Sequence, residues 1–132
     1  MRSLSVKSSH RKELLSITDQ VASLVRTEGW EKGALLLFCP HTTAALTVNE
    51  SADPDVASDM QGFMSRLVPV LTEFRHAEGN SDSHIQSSLF GPSLMLIVED
   101  GRICLGTGQG IYFCEWDGPR PRKLWAQFLP GT

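Results

Sequence analysis

The chain has 132 residues, 41% hydrophobic and 20% charged, with a net charge of −3. That is the size of one globular domain, able to bury roughly 70% of its unfolded surface without a metal or a disulfide. The charge argues against broad adhesion to nucleic acid or anionic membrane, and the longest apolar runs, ALLLF (34–38) and LMLIV (94–98), fall far short of the roughly 20 residues that cross a bilayer.

Residues 3–9, SLSVKSS, alternate weakly and predict a first strand. Ser16 and Thr18 are candidate caps for a helix whose apolar face holds Ile17, Val21, Leu24 and Val25, and Gly29 ends it. ALLLFC (34–39) reads as a buried strand. HTTAALTVNE (41–50), rich in β-branched and small residues, reads as a second strand or an extended segment. Asp53-Pro54 is a helix start, a capping aspartate followed by proline at the first position. Val56, Met60, Phe63, Met64 and Leu67 then form an apolar stripe, and Pro69 is the stop. Residues 72–82 read as a loop and 83–90 as a short helix. From Gly91 the pattern is β: SLMLIVE, a hairpin turn at Asp100-Gly101, RICLG, GIYFCEW and RKLWAQFL. The sum is an α+β fold: a single domain over 1–132, with a mixed or antiparallel β-sandwich-like core, about seven strands and two main helices.

The N-terminus, MRSLSVKSSHRKE, lacks the apolar stretch of a signal peptide, so the expected compartment is the cytoplasm. Cys39, Cys104 and Cys114 form no CxxC pair and read as reduced thiols. Cys39 stands two residues before His41, a spacing that raises a nucleophilic pair; the plainer reading is a buried strand residue.

Three of the four histidines carry the chemical interest. His76 and His84 bracket RHAEGNSDSH (75–84), where a turn at Gly79-Asn80 can bring them together, and His41 follows a strand and a proline. Three imidazoles and an open position would suit a catalytic zinc, although the spacing matches no regular zinc motif. His10, between Ser9 and Arg11, reads as a surface residue. Glu50 is either a general base or an acid favoured by the dipole of the following helix. In LGTGQGIYFCEWDGPRPR (105–122) the glycines at 106, 108 and 110 match neither a P-loop nor a dinucleotide fingerprint. They read as a relieved hairpin or bulge. Gln109 is a candidate donor to substrate, Glu115 and Asp117 alternate in an apolar strand, and Arg120 and Arg122 suit phosphate or carboxylate.

Taken together, CPHTTAALTVNESADPDV (39–56), HAEGNSDSHIQSSLFGPSL (76–94) and DGRICLGTGQGIYFCEWDGPRPRK (100–123) resemble the YjbQ-like family over essentially the whole chain. The resemblance implies a compact α+β homotrimer with sites in clefts between subunits. It implies that His41, His76 and His84 bind a metal, zinc above all, with Asn80, Ser83, Gln109 and Glu115 in the pocket. It also implies thiamine-phosphate synthase activity, in which a pyrimidine methyl diphosphate joins a thiazole phosphate and pyrophosphate leaves. Arg120, Arg122 or a divalent metal such as magnesium would stabilise the departing diphosphate. One position departs from the family pattern, which usually has tryptophan where this chain has Gly108. The functional expectation is therefore a small-molecule enzyme with a histidine-rich, metal-binding, phosphate-tolerant pocket, with His41, Glu50 and Glu115 as catalytic residues. The alternatives are a metal-dependent hydrolase and a binding protein without turnover.

Overall fold

The computed structural model describes all 132 residues. In chain order the elements are β1 (Arg2–Lys7), β2 (Glu13–Ser16), α1 (Thr18–Glu28), β3 (Gly33–Phe38), β4 (Ala44–Glu50), α2 (Pro54–Leu67), α3 (Ser81–Phe90), β5 (Ser93–Glu99), β6 (Arg102–Ile103), β7 (Gln109–Glu115) and β8 (Pro121–Pro130). They form an α+β domain with two sheets, one ordered β1-β8-β3-β5-β6 and the other β2-β7-β4. Every strand pairing is antiparallel, so the mixed pairing entertained from the sequence does not occur.

Alternation along the strands builds the layers. Leu35, Leu37, Leu96, Val98, Leu124 and Ala126 of the five-stranded sheet pack against Ala44, Leu46, Ile111 and Phe113 of the three-stranded sheet, with Val21 and Val25 of α1 in the same core. The opposite face of the small sheet turns Ala45, Tyr112, Cys114 and Trp116 toward Met64, Val68 and Phe90 at α2 and α3. The small sheet is therefore covered on both faces, which is why β7 reads as a nearly continuous apolar run. The outer face of the large sheet is uncovered: Met95, Ile97, Leu129 and Phe38 are exposed there, at 62%, 63%, 45% and 39%.

Local chemistry explains most boundaries. Asp53 caps α2 by accepting from the Asp55 amide at 2.9 Å, with Pro54 next in the chain. Gly29 ends α1 in the left-handed conformation. Asp100 and Gly101 both have positive φ (51° and 72°), as a two-residue hairpin of type I′ requires.

Four expectations need correction. Neither Ser16 nor Thr18 caps α1, which starts after Ile17 with no side-chain cap; Thr18 Oγ1 instead accepts from the Ile111 amide at 2.8 Å and ties the helix to β7. The four-residue β2 is absent from the sequence reading because ELLS is too short to show a period. The α2 stripe is only partly inward: Met64 is buried, but Phe63 and Leu67 are 54% and 56% exposed. The short helix starts two residues early, at Ser81, and makes a third helix that packs beside α2.

Candidate functional site

A cleft of about 450 Å³ opens where β3 runs into β4, where the loop before α3 ends, and where β7 turns into β8. Its lining is Pro40, His41, Thr42, Thr43, His76, Glu78, Asn80, His84, Asp117, Arg120 and Arg122, with no hydrophobic residue among them. The three expected histidines therefore share one cleft with Asn80, Arg120 and Arg122.

The turn at Gly79 and the start of α3 set the first pair. The Gly79 amide bonds the His76 carbonyl at 3.1 Å, and His84 lies on the first turn of the helix. Their rings meet edge to face with centroids 5.4 Å apart. His76 Nε2 also lies 3.8 Å from Glu78 Oε2. His41 is held differently: its Nε2 accepts the Lys123 backbone N–H at 2.9 Å. Burial and the nearby Arg122 guanidinium hold the His41 imidazole below its ordinary pKa, so the ring is neutral at pH 7.

Beneath the cleft lies a buried ionic floor. Arg122 Nε donates to Glu115 Oε1 at 2.8 Å, and Nη2 donates to Glu115 Oε2 and, at 2.9 Å, to Thr43 Oγ1. Glu115 is fully buried and accepts further from Ser8 Oγ at 2.6 Å and the Asp117 amide at 3.1 Å. Arg122 Nη1 has no partner within the chain, and Arg122 lines the cleft. Gly118 lets the β1–β2 connection close onto this floor: a Cβ there would stand 2.3 Å from the His10 carbonyl oxygen and 2.6 Å from Ser8 Oγ.

Asp117 organises the rim. It accepts from Asn80 Nδ2 at 2.7 Å and from Arg120 Nη2 at 3.1 Å. Burial would raise its carboxyl, but those two hydrogen bonds and the charges of Arg120 and Arg11 outweigh it and hold it low. Asn80 Oδ1 is buried and makes no hydrogen bond within the chain. Behind the rim, buried Asp82 is held by Arg11 at 3.1 Å and Lys12 at 2.7 Å. Burial lowers the Lys12 ammonium despite that pairing.

Several expectations move. Glu50 and Gln109 face one another at the other end of the β4–β7 ladder, six steps from the Ala44–Glu115 pair, a span of about 20 Å. Glu50 accepts from the Ala52 amide and Gln109 Oε1 from the Gly106 amide, so both organise turns and neither reaches the cleft. Ser83 is fully buried and donates to the Trp116 carbonyl at 2.6 Å, and Asn80 is tied to Asp117. Asn80 thus borders the cleft and Ser83 does not. Glu115 is Arg122's counter-ion, with no surface exposed to a substrate. Cys39 is buried and its thiol is pushed up to about 11, chiefly by that burial, so it is no nucleophile beside His41. His10 is exposed, as expected, beside Glu13 at 3.3 Å.

Sequence reasoning missed Thr43, Asp117 as an organiser, Ser8, and the Arg11–Lys12–Asp82 cluster. The signal for Thr43 and Asp117 was adjacency to named site residues; Ser8, Arg11 and Lys12 carried none, because their side-chain partners here are 70 to 112 positions away.

The residues test the expected metal as follows. No group of three or more His, Cys, Asp or Glu side chains is placed to hold a metal ion. His76 and His84 are a facing pair, but His41 presents its unprotonated nitrogen to the Lys123 amide. The three-histidine zinc set does not fit this arrangement. Magnesium prefers several oxygen ligands, and the cleft's carboxylates, Asp117 and Glu78, include one already bound to Asn80 and Arg120.

The model of the UPF0047 protein family, YjbQ-like, matches residues 2–131. The chain belongs to the UPF0047, YjbQ-like family. UPF0047 protein YugU of Bacillus subtilis is 45% identical over 130 residues, covering 98% of both chains. UPF0047 protein MJ1081 of Methanocaldococcus jannaschii is 44% identical over 94% of this chain and 90% of its own. Among solved structures, a YjbQ/UPF0047-family protein of Clostridium acetobutylicum superposes with a TM-score of 0.94 at 43% identity, over 98% of this chain and 100% of its own. The YjbQ-like fold is thus shared along essentially the full length. No helix is long and apolar enough to cross a membrane.

Proposed function

We propose that this YjbQ-like protein is a small-molecule enzyme whose cleft binds a phosphate-bearing substrate. The observation that carries the reading is the lining: three histidines and two arginines around a wholly polar cleft, with Arg122 fixed by a buried carboxylate. A rigid guanidinium with a free edge is suited to phosphate oxygens, and a held donor set can stabilise charge that develops on a leaving diphosphate. The most concrete form of the reading is the thiamine-phosphate synthase reaction. That reaction needs an apolar slot for its pyrimidine, and this chain's cleft offers none.

A second subunit supplies the missing wall in the proposal. On the outer face of the large sheet, Ala34 lies between Ile97 and Leu129, Leu36 between Met95 and Gln127, and Phe38 between Ser93 and Trp125. The Phe38 and Trp125 rings stack at 6.1 Å, three residues before His41 and two after Lys123. An apolar face of this kind marks an interface, and a homotrimer built on it would place a neighbour at the mouth of the cleft.

The test is calorimetry with inorganic pyrophosphate and with the pyrimidine methyl diphosphate, wild type beside Arg120→Ala, followed by a product assay with thiazole phosphate. Binding that weakens in the variant, with thiamine phosphate formed, supports the reading. Binding without product under zinc or magnesium favours a binding protein. No binding of either diphosphate sinks the phosphate reading.

A further inference from the structure

We infer that His41 is fixed as the tautomer protonated on Nδ1 and serves as a hydrogen-bond donor to the ligand, not as a metal ligand. The inference rests on the reading of the cleft as a phosphate-binding site for its last clause only; the tautomer itself follows from the fold.

The Lys123 N–H can only donate, so the His41 Nε2 it reaches at 2.9 Å must be the nitrogen with the lone pair. A neutral imidazole then carries its one proton on Nδ1. That N–H makes no hydrogen bond within the chain, and His41 lines the cleft. To bind a metal through Nδ1 the ring would have to become an imidazolate. To bind through Nε2 it would have to release the Lys123 amide, leaving a backbone donor of β8 unpaired, at a cost comparable to a lost hydrogen bond. The neighbourhood reinforces the neutral form: burial and then the Arg122 guanidinium oppose a positive charge on the ring.

Anchoring by Lys123 also fixes the ring plane, because Lys123 belongs to β8, where it pairs with Ser5 of β1. His41 sits in a short irregular stretch between β3 and β4, and this bond is what sets its direction. His41 and Arg122 both line the cleft, and Nδ1 of the one and Nη1 of the other are the donors left without a partner in the chain, so an anionic ligand there has both to draw on.

Nitrogen-15 NMR of the full-length protein labelled on histidine tests the tautomer directly. At pH 7.5 the expected His41 pattern is a protonated Nδ1 and an unprotonated Nε2; a protonated Nε2 overturns the inference. Zinc titration provides an independent measurement. His41→Gln should match wild type within twofold, whether the wild type takes up zinc through other residues or takes up none; a tenfold loss of zinc affinity in His41→Gln overturns the inference. Finally, saturating inorganic pyrophosphate should shift the His41 Nδ1–H resonance. Binding without that shift overturns the donor role, and an absence of binding instead removes the phosphate reading while the tautomer stands or falls on its own signal.

Discussion

Glu115 and Arg122 face each other at the top of β7 and the start of β8, with Arg122 Nε 2.8 Å from Glu115 Oε1; Glu115 is wholly buried, and Arg122 shows only 5% of its side chain, at the cleft. The pair sets the floor of the cleft and determines what the rest of it can do. Replacing Glu115 by Gln removes the counter-charge and leaves a buried guanidinium uncompensated. Breaking one partner of such a pair costs about 3–5 kcal/mol. Urea unfolding should show a loss of that size for Glu115→Gln; a change under ~1 kcal/mol would mean that water reaches Arg122.

The charges of the cleft balance. Its lining holds Arg120 and Arg122 against Asp117 and Glu78, with Glu115 behind. Phosphate therefore meets donors without a net positive field. Asp117→Asn removes one negative charge and releases Arg120, so pyrophosphate should bind about fivefold more tightly at low salt, with the gain shrinking as ionic strength rises. Titration calorimetry at two salt concentrations reads this directly. Weaker binding in the variant would show that Asp117's hold on Asn80 and Arg120 matters more than its charge.

Stability should fall in two stages as pH decreases. The His41 pKa lies below its ordinary 6.5 in the fold. The unfolded chain therefore takes up that proton first, and stability declines as pH drops below about 6.5. Asp82 and Asp117 lie below their ordinary 3.8. For Asp82, burial pushes upward, but Arg11 and Lys12 outweigh it. Their contribution is intact above about 4 and is lost as pH falls through the depressed values. His41→Asn should flatten the first stage and leave the second. Urea midpoints from pH 7.5 to 3 in wild type and variant are the measurement, and identical curves would contradict the assignment.

The outer face of the large sheet offers a test of assembly. Ile97 is 63% exposed and lies between Val98 and Leu96, whose side chains enter the core. Ile97→Lys should leave the circular dichroism unchanged and convert a trimer to a monomer in sedimentation velocity. A wild-type protein that already sediments as one chain would remove the proposed second-subunit wall.

Gly108 has φ +80°, and a Cβ there would approach Glu50 Oε2 to 2.9 Å. The tryptophan expected here from the family resemblance would bring strain and a displaced carboxylate. Gly108→Trp should destabilise this chain by about 1–2 kcal/mol, read as a lowered melting temperature; unchanged stability would mean the loop readily adopts a second conformation.

The legible parts of the fold were those written in local chemistry. Asp53-Pro54, Gly29 and Asp100-Gly101 each specify a backbone geometry within a few residues, and each boundary stands where it was read. His76 and His84 were legible as a pair because a turn and a helix start are short-range features, whereas His41 reaches the same cleft through the long-range return of β8. The misplaced residues depended on register. Glu50 and Gln109 neighbour site residues in sequence, but a seven-residue ladder carries them to its far end. Glu115 looked catalytic as a charge in an apolar strand; only the return of β8 shows it to be a counter-ion, and only Ser8, just after β1, completes its partners. A residue's role in such a fold is set by which strand comes back beside it, which one sequence does not display.

β1 begins beside Ala126 of β8 and runs to Pro121, the end at which the cleft opens. Met1 and Gly131 border one pocket at the opposite end, with Trp30 and Phe128. A tether on either terminus therefore leads away from the histidines. Protein fixed to a sensor surface through Met1 or Gly131 would hold the cleft on the side turned toward solution, so the tether itself would not compete with ligand capture.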